Sequence, residues 1–402
     1  MLLVKVCFTL LVYGTTILAE TGDDVNAVLT DVFTTRGYNK KIRPIVDQTQ
    51  PLHISADFYL NSIIDFDEKT ESIKTAGFLS LNWQDQYFTW TPASFNNTQS
   101  VFVPQEDIWK PDISLTNSYK TFTGLGATYL NLVVDHDGSV TWSPFQVLES
   151  TCSITITYFP FDVQTCEMKF SAWSYTKNEV EINEGTNGIQ LSNYQPSAAW
   201  DIAETSAREI NTEEAAVVFT IRLKRKPRFY IINVIIPIVF LSFLNVCSFL
   251  LPSTSGEKAS YAITVVLSLA VFLTIVSQLL PNNSENTSLL STYIMLITGL
   301  SAFISMLCIM ELRLQSWHNT EIPVNKLCLL FVTVSNFIKC QACNKRKIIP
   351  EDDNVSQKSK EETPVTWLDV INAMDFIFFI FSSFYTFICT FVIGIVAVHG
   401  DS

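Results

Sequence analysis

Charge is scarce in this sequence, and histidine scarcer. Only 16% of the 402 residues are Asp, Glu, Lys or Arg, against roughly 25% in an ordinary soluble chain. Hydrophobic residues make up 48% and the mean hydropathy is +0.25. That shortage argues against a purely soluble protein and points to the membrane. Positive charge is the rarer sign: 26 Lys and Arg face 39 Asp and Glu, a net charge of −13. This argues against nucleic acid as a partner and is compatible with attracting cations, although acidity also serves solubility alone. Four histidines are too few for a His-rich metal site. No Ser/His/Asp arrangement or other catalytic motif is present, so neither an enzyme nor a cofactor is expected.

The chain is long enough for two or three domains. Residues 1–19 combine an early Lys5, an apolar core and a terminal small residue, which reads as a cleavable secretory signal carrying Cys7 with it. Residues 20–227 would then enter an oxidising compartment. Their pattern is β: residues 153–158 and 217–224 alternate apolar with polar, and Asp137-Gly138 and Glu184-Gly185 read as turns. Many short strands of this kind suggest an antiparallel β-sandwich. Asn96-Asn97-Thr98 is a glycosylation sequon on an expected loop.

Four uncharged runs follow, at residues 230–251, 259–280, 289–310 and 376–398, each long enough to span a bilayer as a helix. The first contains Pro237, tolerated in membrane helices. A secreted N-terminus and four spans place both termini outside. Lys326, Lys339, Lys345, Arg346 and Lys347 in the third linker fit a cytoplasmic loop, whereas Lys224, Arg225, Lys226 and Arg228 fall outside against that rule. The expected organisation is therefore a β-sandwich domain over residues 20–227, three spans over 228–311, a cytoplasmic linker over 312–366 and a last span over 367–402. Within the linker, residues 327–338 are apolar but too short to span, and read as an interfacial helix. Cys340 and Cys343 there are a lone pair, for which lipidation outranks metal binding, and Asn354-Val355-Ser356 is a sequon on the wrong side for glycosylation.

The second run is not uniformly apolar. Helical spacing puts Ser260, Thr264, Leu267, Val271, Thr274 and Gln278 on one face, polar at both ends and aliphatic in the middle. Such a face fits two arrangements. It lines a wet pore with a dry constriction when several copies surround an axis, or it glues helices together in an ordinary bundle.

Cys152 and Cys166, both in the secreted region, flank a stretch centred on Phe159-Pro160-Phe161-Asp162, and a disulfide is the default there. This loop resembles the signature of the Cys-loop family of pentameric ligand-gated channels. Trp109-Lys110-Pro111-Asp112, Asn233-Val234-Ile235-Ile236-Pro237 and Gly256-Glu257-Lys258 resemble motifs of its nicotinic acetylcholine receptor branch, in the same order. The resemblance implies a β-sandwich ligand-binding domain on a four-helix transmembrane bundle, repeated as a homo- or hetero-pentameric ring in the plasma membrane, synapses included. It implies a pore lined by Ser260, Thr264, Leu267, Val271 and Thr274, with Leu267 and Val271 as the closed gate and Glu257 as a cation-selecting charge at the cytoplasmic mouth. A carboxylate ring there attracts monovalent cations and rejects anions. The competing reading of Glu257 is a helix-dipole partner. Gln278 stands where an acid is usual, which counts against high conductance and calcium permeability.

The resemblance also implies an aromatic cage for a small cationic ligand between subunits. Trp173 matches its principal tryptophan, with Tyr175 close by, and Phe78 matches the aromatic given by the neighbouring subunit. Strand parity agrees independently: Met168, Phe170 and Ala172 share one face and leave Trp173 with Lys169 and Ser171 on the other, although a bend would let it fill the core. Leu79, Leu81 and Trp83 likewise leave Phe78 with Ser80 and Asn82. Thr116 replaces a cage tyrosine. Residues 201–218 lack the paired cysteines and tyrosines of the usual loop, which counts against acetylcholine. Glu204, Glu209, Glu213 and Glu214 there would attract a cationic ligand or metal, or form a plain solvated surface. Glu68 and Arg225 match a pair at the domain junction. Phe159, Pro160 and Phe161 would press on residues 282–289, where Ser288 replaces the usual proline. Competing readings are an accessory subunit and a non-conducting surface binding protein.

Overall fold

The computed structural model describes residues 21–120, 124–211, 214–280, 287–319, 324, 326–339 and 365–399. The expected secretory signal, Cys340, Cys343, the Asn354 sequon and Glu213 lie outside them.

A short helix, Gly22–Leu29, capped by Thr21 and Asp24, opens the described chain. Eleven strands follow: β1 (Leu52–Asp67), β2 (Ser72–Gln84), β3 (Ser100–Pro104), β4 (Ile113–Leu115), β5 (Asn131–Asp135), β6 (Ser139–Trp142), β7 (Phe145–Thr151), β8 (Val163–Thr176), β9 (Val180–Gln190), β10 (Trp200–Asn211) and β11 (Glu214–Arg225). They form two sheets. The larger runs β3-β5-β6-β2-β1-β9, with β7 also on β2, and the smaller runs β10-β11-β8-β4. Phe58 of β1 meets Phe170 of β8 and Phe219 of β11, with ring centroids 6.3 and 5.7 Å apart. Alternating apolar residues from both sheets thus close the core between them.

Three sequence expectations change. The sandwich is not wholly antiparallel, because β1 pairs β9 in parallel. Gly185 is no turn: it lies inside β9, where a Cβ would occupy the space taken by the Asp57 carboxylate. Residues 153–158 bury Ile154 and Ile156 but are not a strand. There the side chain of Gln164 replaces a partner strand, accepting from the Thr155 N–H at 3.0 Å and donating to its carbonyl at 2.9 Å. Apolar alternation reports which side chains are buried, not whether a ladder forms.

Among the described residues, four helices long and apolar enough to cross a membrane follow, with first to fourth spans at Arg228–Leu250, Lys258–Leu279, Leu289–Trp317 and Trp367–Val396. After one α turn, Arg228–Tyr230, the first widens into a π turn, Ile231–Ile235, ahead of Pro237. Such a turn is one way to absorb a proline, which has no N–H to give its helix. Gly256 turns the chain into the second span with φ 73, a conformation only glycine adopts freely. The third and fourth helices outrun the uncharged stretches because they continue through Glu311 and Asp375. The short helix Lys326–Ile338 packs on the fourth span through Phe331 and Phe378, and exposes Leu330, Val334 and Phe337.

Candidate functional site

At the junction of sandwich and helices, β11 ends in Arg225, whose side chain is 3% exposed. A buried guanidinium needs compensating charge and full hydrogen bonding. Glu68 supplies one bond at 2.6 Å to Nη1. Asp162, from the disulfide loop, supplies two, at 2.8 Å to Nε and 3.1 Å to Nη2. Trp200 stacks 4.2 Å from the guanidinium, with Phe159 and Tyr230 at 5.0 and 5.6 Å. Burial by itself would lower the Arg225 pKa; Asp162 and then Glu68 outweigh it, and the pKa is raised.

The expected Glu68–Arg225 contact is present, and Asp162 joins it as a second, bidentate partner. The Phe159-Pro160-Phe161-Asp162 motif offered that signal in sequence, but only folding shows that its last residue turns inward. Cys152 and Cys166 are disulfide-bonded. From the same loop the Thr157 carbonyl accepts the N–H of Leu289, the first residue of the third helix, at 3.0 Å. Phe159 and Pro160 are buried and Phe161 half-buried, and Phe159 packs edge-on to Tyr230 of the first span. Ser288 is buried; most of the loop expected to meet these residues lies outside the described chain.

In the second span, Ala262, Val265, Leu269 and Val276 face the chain's own bundle and are buried. Glu257, Ser260, Thr264, Leu267, Val271, Thr274 and Gln278 are all exposed, Leu267 at 65% and Val271 at 52%. The hydroxyls of this face bond backward along their own helix, Thr264 to the Ser260 carbonyl and Thr274 to that of Ala270. Polar contacts between helices use other residues. Tyr261 bonds the Leu244 carbonyl, Ser301 bonds Asn245, and Tyr293 bonds Thr390.

Trp173 stands 66% exposed near the end of β8, while Met168, Phe170 and Ala172 beneath it are buried. Ser171 departs from the expected polar face: it is buried between β4 and β11. Asp112 holds this strand end, accepting the Trp173 N–H through its carbonyl and the Ser174 N–H through its carboxylate at 2.7 Å. Tyr175 is half-buried, its ring 6.2 Å from that of Trp109. Thr116 bonds the Lys169 carbonyl through both its N–H and its hydroxyl. β11 begins level with the last residue of β8, Glu214 opposite Thr176. The strands of this hairpin run to Asn211 and from Glu214. Two of the hairpin's acids are spent on cross-strand pairs, Glu204 with Arg222 and Glu214 with Lys169, both at 2.9 Å.

Phe78 lies on the other sheet. It is half-buried, stacks on Tyr59 at 4.7 Å and pairs with Phe145 across β2 and β7. Tyr59 and Phe145 went unnoticed in the sequence because neither is near Phe78 along the chain. The core separates Phe78 from Trp173, so one chain cannot bring them together. Asn96 sits in a turn with φ 50, its amide donating to Asp24 at 2.9 Å.

Comparison with known proteins adds a decisive observation. Residues 26–227 match the model of the neurotransmitter-gated ion-channel ligand binding domain, and residues 234–329 match that of the neurotransmitter-gated ion-channel transmembrane region. The chain belongs to the neurotransmitter-gated ion-channel family. That is a family of channels, not of enzymes. Among its relatives, the acetylcholine receptor subunit alpha-L1 of Schistocerca gregaria is 34% identical over 72% of this chain and 56% of its own length. The acetylcholine receptor subunit beta-type acr-2 of Caenorhabditis elegans is 34% identical over 77% and 55%, and the neuronal acetylcholine receptor subunit beta-2 of Gallus gallus 33% over 71% and 59%. The chain spans about half the length of the curated relatives it matches. The first matched region meets the helices at the Arg225 cluster, where Phe159 packs on Tyr230 of the first span, and the Thr157–Leu289 bond ties it to the second matched region.

Proposed function

We propose that this chain is a subunit of a pentameric, cation-selective channel opened by a small cationic ligand at the extracellular interface between subunits. The observation that carries the reading is the face of the second span from Glu257 to Gln278, which is exposed and, among the described residues, takes no part in the bonds between helices. A polar helix face in a membrane needs water or protein beside it. Copies arranged around an axis supply both, with Leu267 and Val271 as an apolar constriction that gates by dewetting. Glu257, exposed at the start of that helix, sets a negative ring at the cytoplasmic mouth, and monovalent cations permeate. The cage is then built from Trp173 and Tyr175 of one subunit and Phe78 of the next, in the plasma membrane, including at synapses. Ligand binding acts on the helices through the Arg225–Asp162–Glu68 cluster and the Thr157–Leu289 bond.

One observation favours a narrower reading, an accessory subunit. Residues 201–218 carry neither cysteine nor tyrosine, and Thr116, where a cage tyrosine is usual, is bonded to β8, so a neighbour of another kind would supply the agonist loop. The relatives named as acetylcholine receptor subunits make amines the first ligands to screen. Recording from cells expressing the chain alone, then with candidate partner subunits, separates these readings. Agonist-evoked current that reverses near the cation potential from the single chain supports a homomer. Current only with a partner supports the accessory role. Surface protein that conducts in neither case would leave a non-conducting binding protein, and reversal that follows chloride would overturn the role of Glu257.

A further inference from the structure

At the start of the second span two neighbouring residues of opposite charge meet opposite fates. Glu257 is exposed, whereas Lys258 is fully buried. The Lys258 ammonium lies 2.6 Å from Oε2 of Glu311 in the third span, bonds Oδ1 of Asp375 in the fourth, and sits 5.7 Å from the Phe249 ring at the end of the first. The side chain of Glu311 is 0% exposed and that of Asp375 13%. One cation is thus held by two carboxylates drawn from two other helices.

From this geometry we infer that Glu311 and Asp375 are specificity-determining residues of the channel: they retain the Lys258 charge inside the bundle, so that Glu257 alone of the two presents charge at the pore mouth. The inference rests on the pore reading above. An ammonium buried without partners is strongly unfavourable, and a lysine so placed carries its head along its flexible stem to the nearest water. The exposed residue next to it in the chain is Glu257. A cation delivered there cancels the neighbouring carboxylate and removes the field that favours cations over anions. Two acids around one lysine keep it retained when either bond opens.

Reversal potentials in a sodium chloride gradient test this on the full chain, with a partner subunit if one is needed for current. The double variant E311Q/D375N should shift the reversal potential toward that of chloride, and K258M/E311Q/D375N, which removes the released cation, should restore the parent value. A double variant that conducts with the parent's reversal potential would overturn the proposal. Surface yield gives a readout that needs no current. K258M alone should lose most surface protein, because the buried Glu311 carboxylate and the half-buried Asp375 carboxylate lose their cation, and K258M/E311Q/D375N should recover it. Parent-like yield from K258M alone would refute the clamp. If E311Q/D375N does not reach the surface, a charged thiol reagent applied from the pore should block E257C and spare K258C/E311Q/D375N; block of the latter would place position 258 in the pore. A parent channel that reverses at the chloride potential would instead fail the pore reading, while the yield series would still report on the clamp.

Discussion

A guanidinium inside a protein must find its counter-charges there, and the two that Arg225 finds are not equivalent. Asp162 is buried and bidentate, whereas the Glu68 side chain is 23% exposed and gives one bond. Removing one member of a buried ionic cluster leaves the other uncompensated, at a cost of roughly 3–5 kcal/mol. Asp162→Leu should therefore lower the thermal stability of the solubilised protein far more than Glu68→Gln, and equal losses would mean the two acids share the charge evenly. Trp173 is the opposite kind of residue. Exposed and resting on a complete core, it contributes little to the fold, so Trp173→Ala should change stability by only about 0.5 kcal/mol. Ligand affinity measured on the same preparation should nevertheless fall by tenfold or more, about 1.4 kcal/mol.

Two elements carry information of a different order. In the second span, the exposed face combines the hydroxyls of Thr264 and Thr274, satisfied by their own helix, with the bare side chains of Leu267 and Val271. Leu267→Ser should make the constriction wettable, giving leak current or heightened ligand sensitivity in whole-cell recordings; an unchanged dose–response would remove Leu267 from the gate. In the sandwich, Glu149 of β7 bridges Lys74 of β2 at 2.7 Å and Lys120 at 2.9 Å. Its pKa is lowered, first by the hydrogen bond from Lys74 and then by that from Lys120. A carboxylate with a depressed folded-state pKa stabilises above its unfolded pKa of about 4.3 and loses that contribution as the pH falls through its folded value. Hydrogen exchange across β7 should therefore quicken below about pH 4, and the Glu149→Gln variant should lack that step.

For the whole molecule, the two aromatic faces bear on the proposed assembly. Phe78 and Trp173 sit on opposite sheets with the core between them, so a site that needs both needs two copies. Chains carrying Phe78→Ala and chains carrying Trp173→Ala should each bind ligand poorly alone. Co-expression should restore binding at interfaces where the intact Trp173 of one faces the intact Phe78 of the other. Binding that stays lost in the mixture, with both chains at the surface, would mean the cage is not shared between copies.

What the sequence determined by itself is whatever depends on local order. Four long uncharged runs dictate four spans, because an unbroken apolar segment has no other stable place. The period of the second span marks its polar stripe, and strand parity turns Trp173 and Phe78 outward. Pairings between distant segments were decided only by the tertiary structure. Asp162 reaches Arg225 across 63 positions and Asp375 reaches Lys258 across 117, and no periodicity encodes either distance. In the sequence Glu311 and Asp375 mark the ends of uncharged runs; in the fold they extend the helices and meet around a buried lysine. Likewise Ser171 looked polar and is buried, because strands on both sides cover it. Burial of a charge or a hydroxyl depends on which partner arrives, and that is settled when the chain closes.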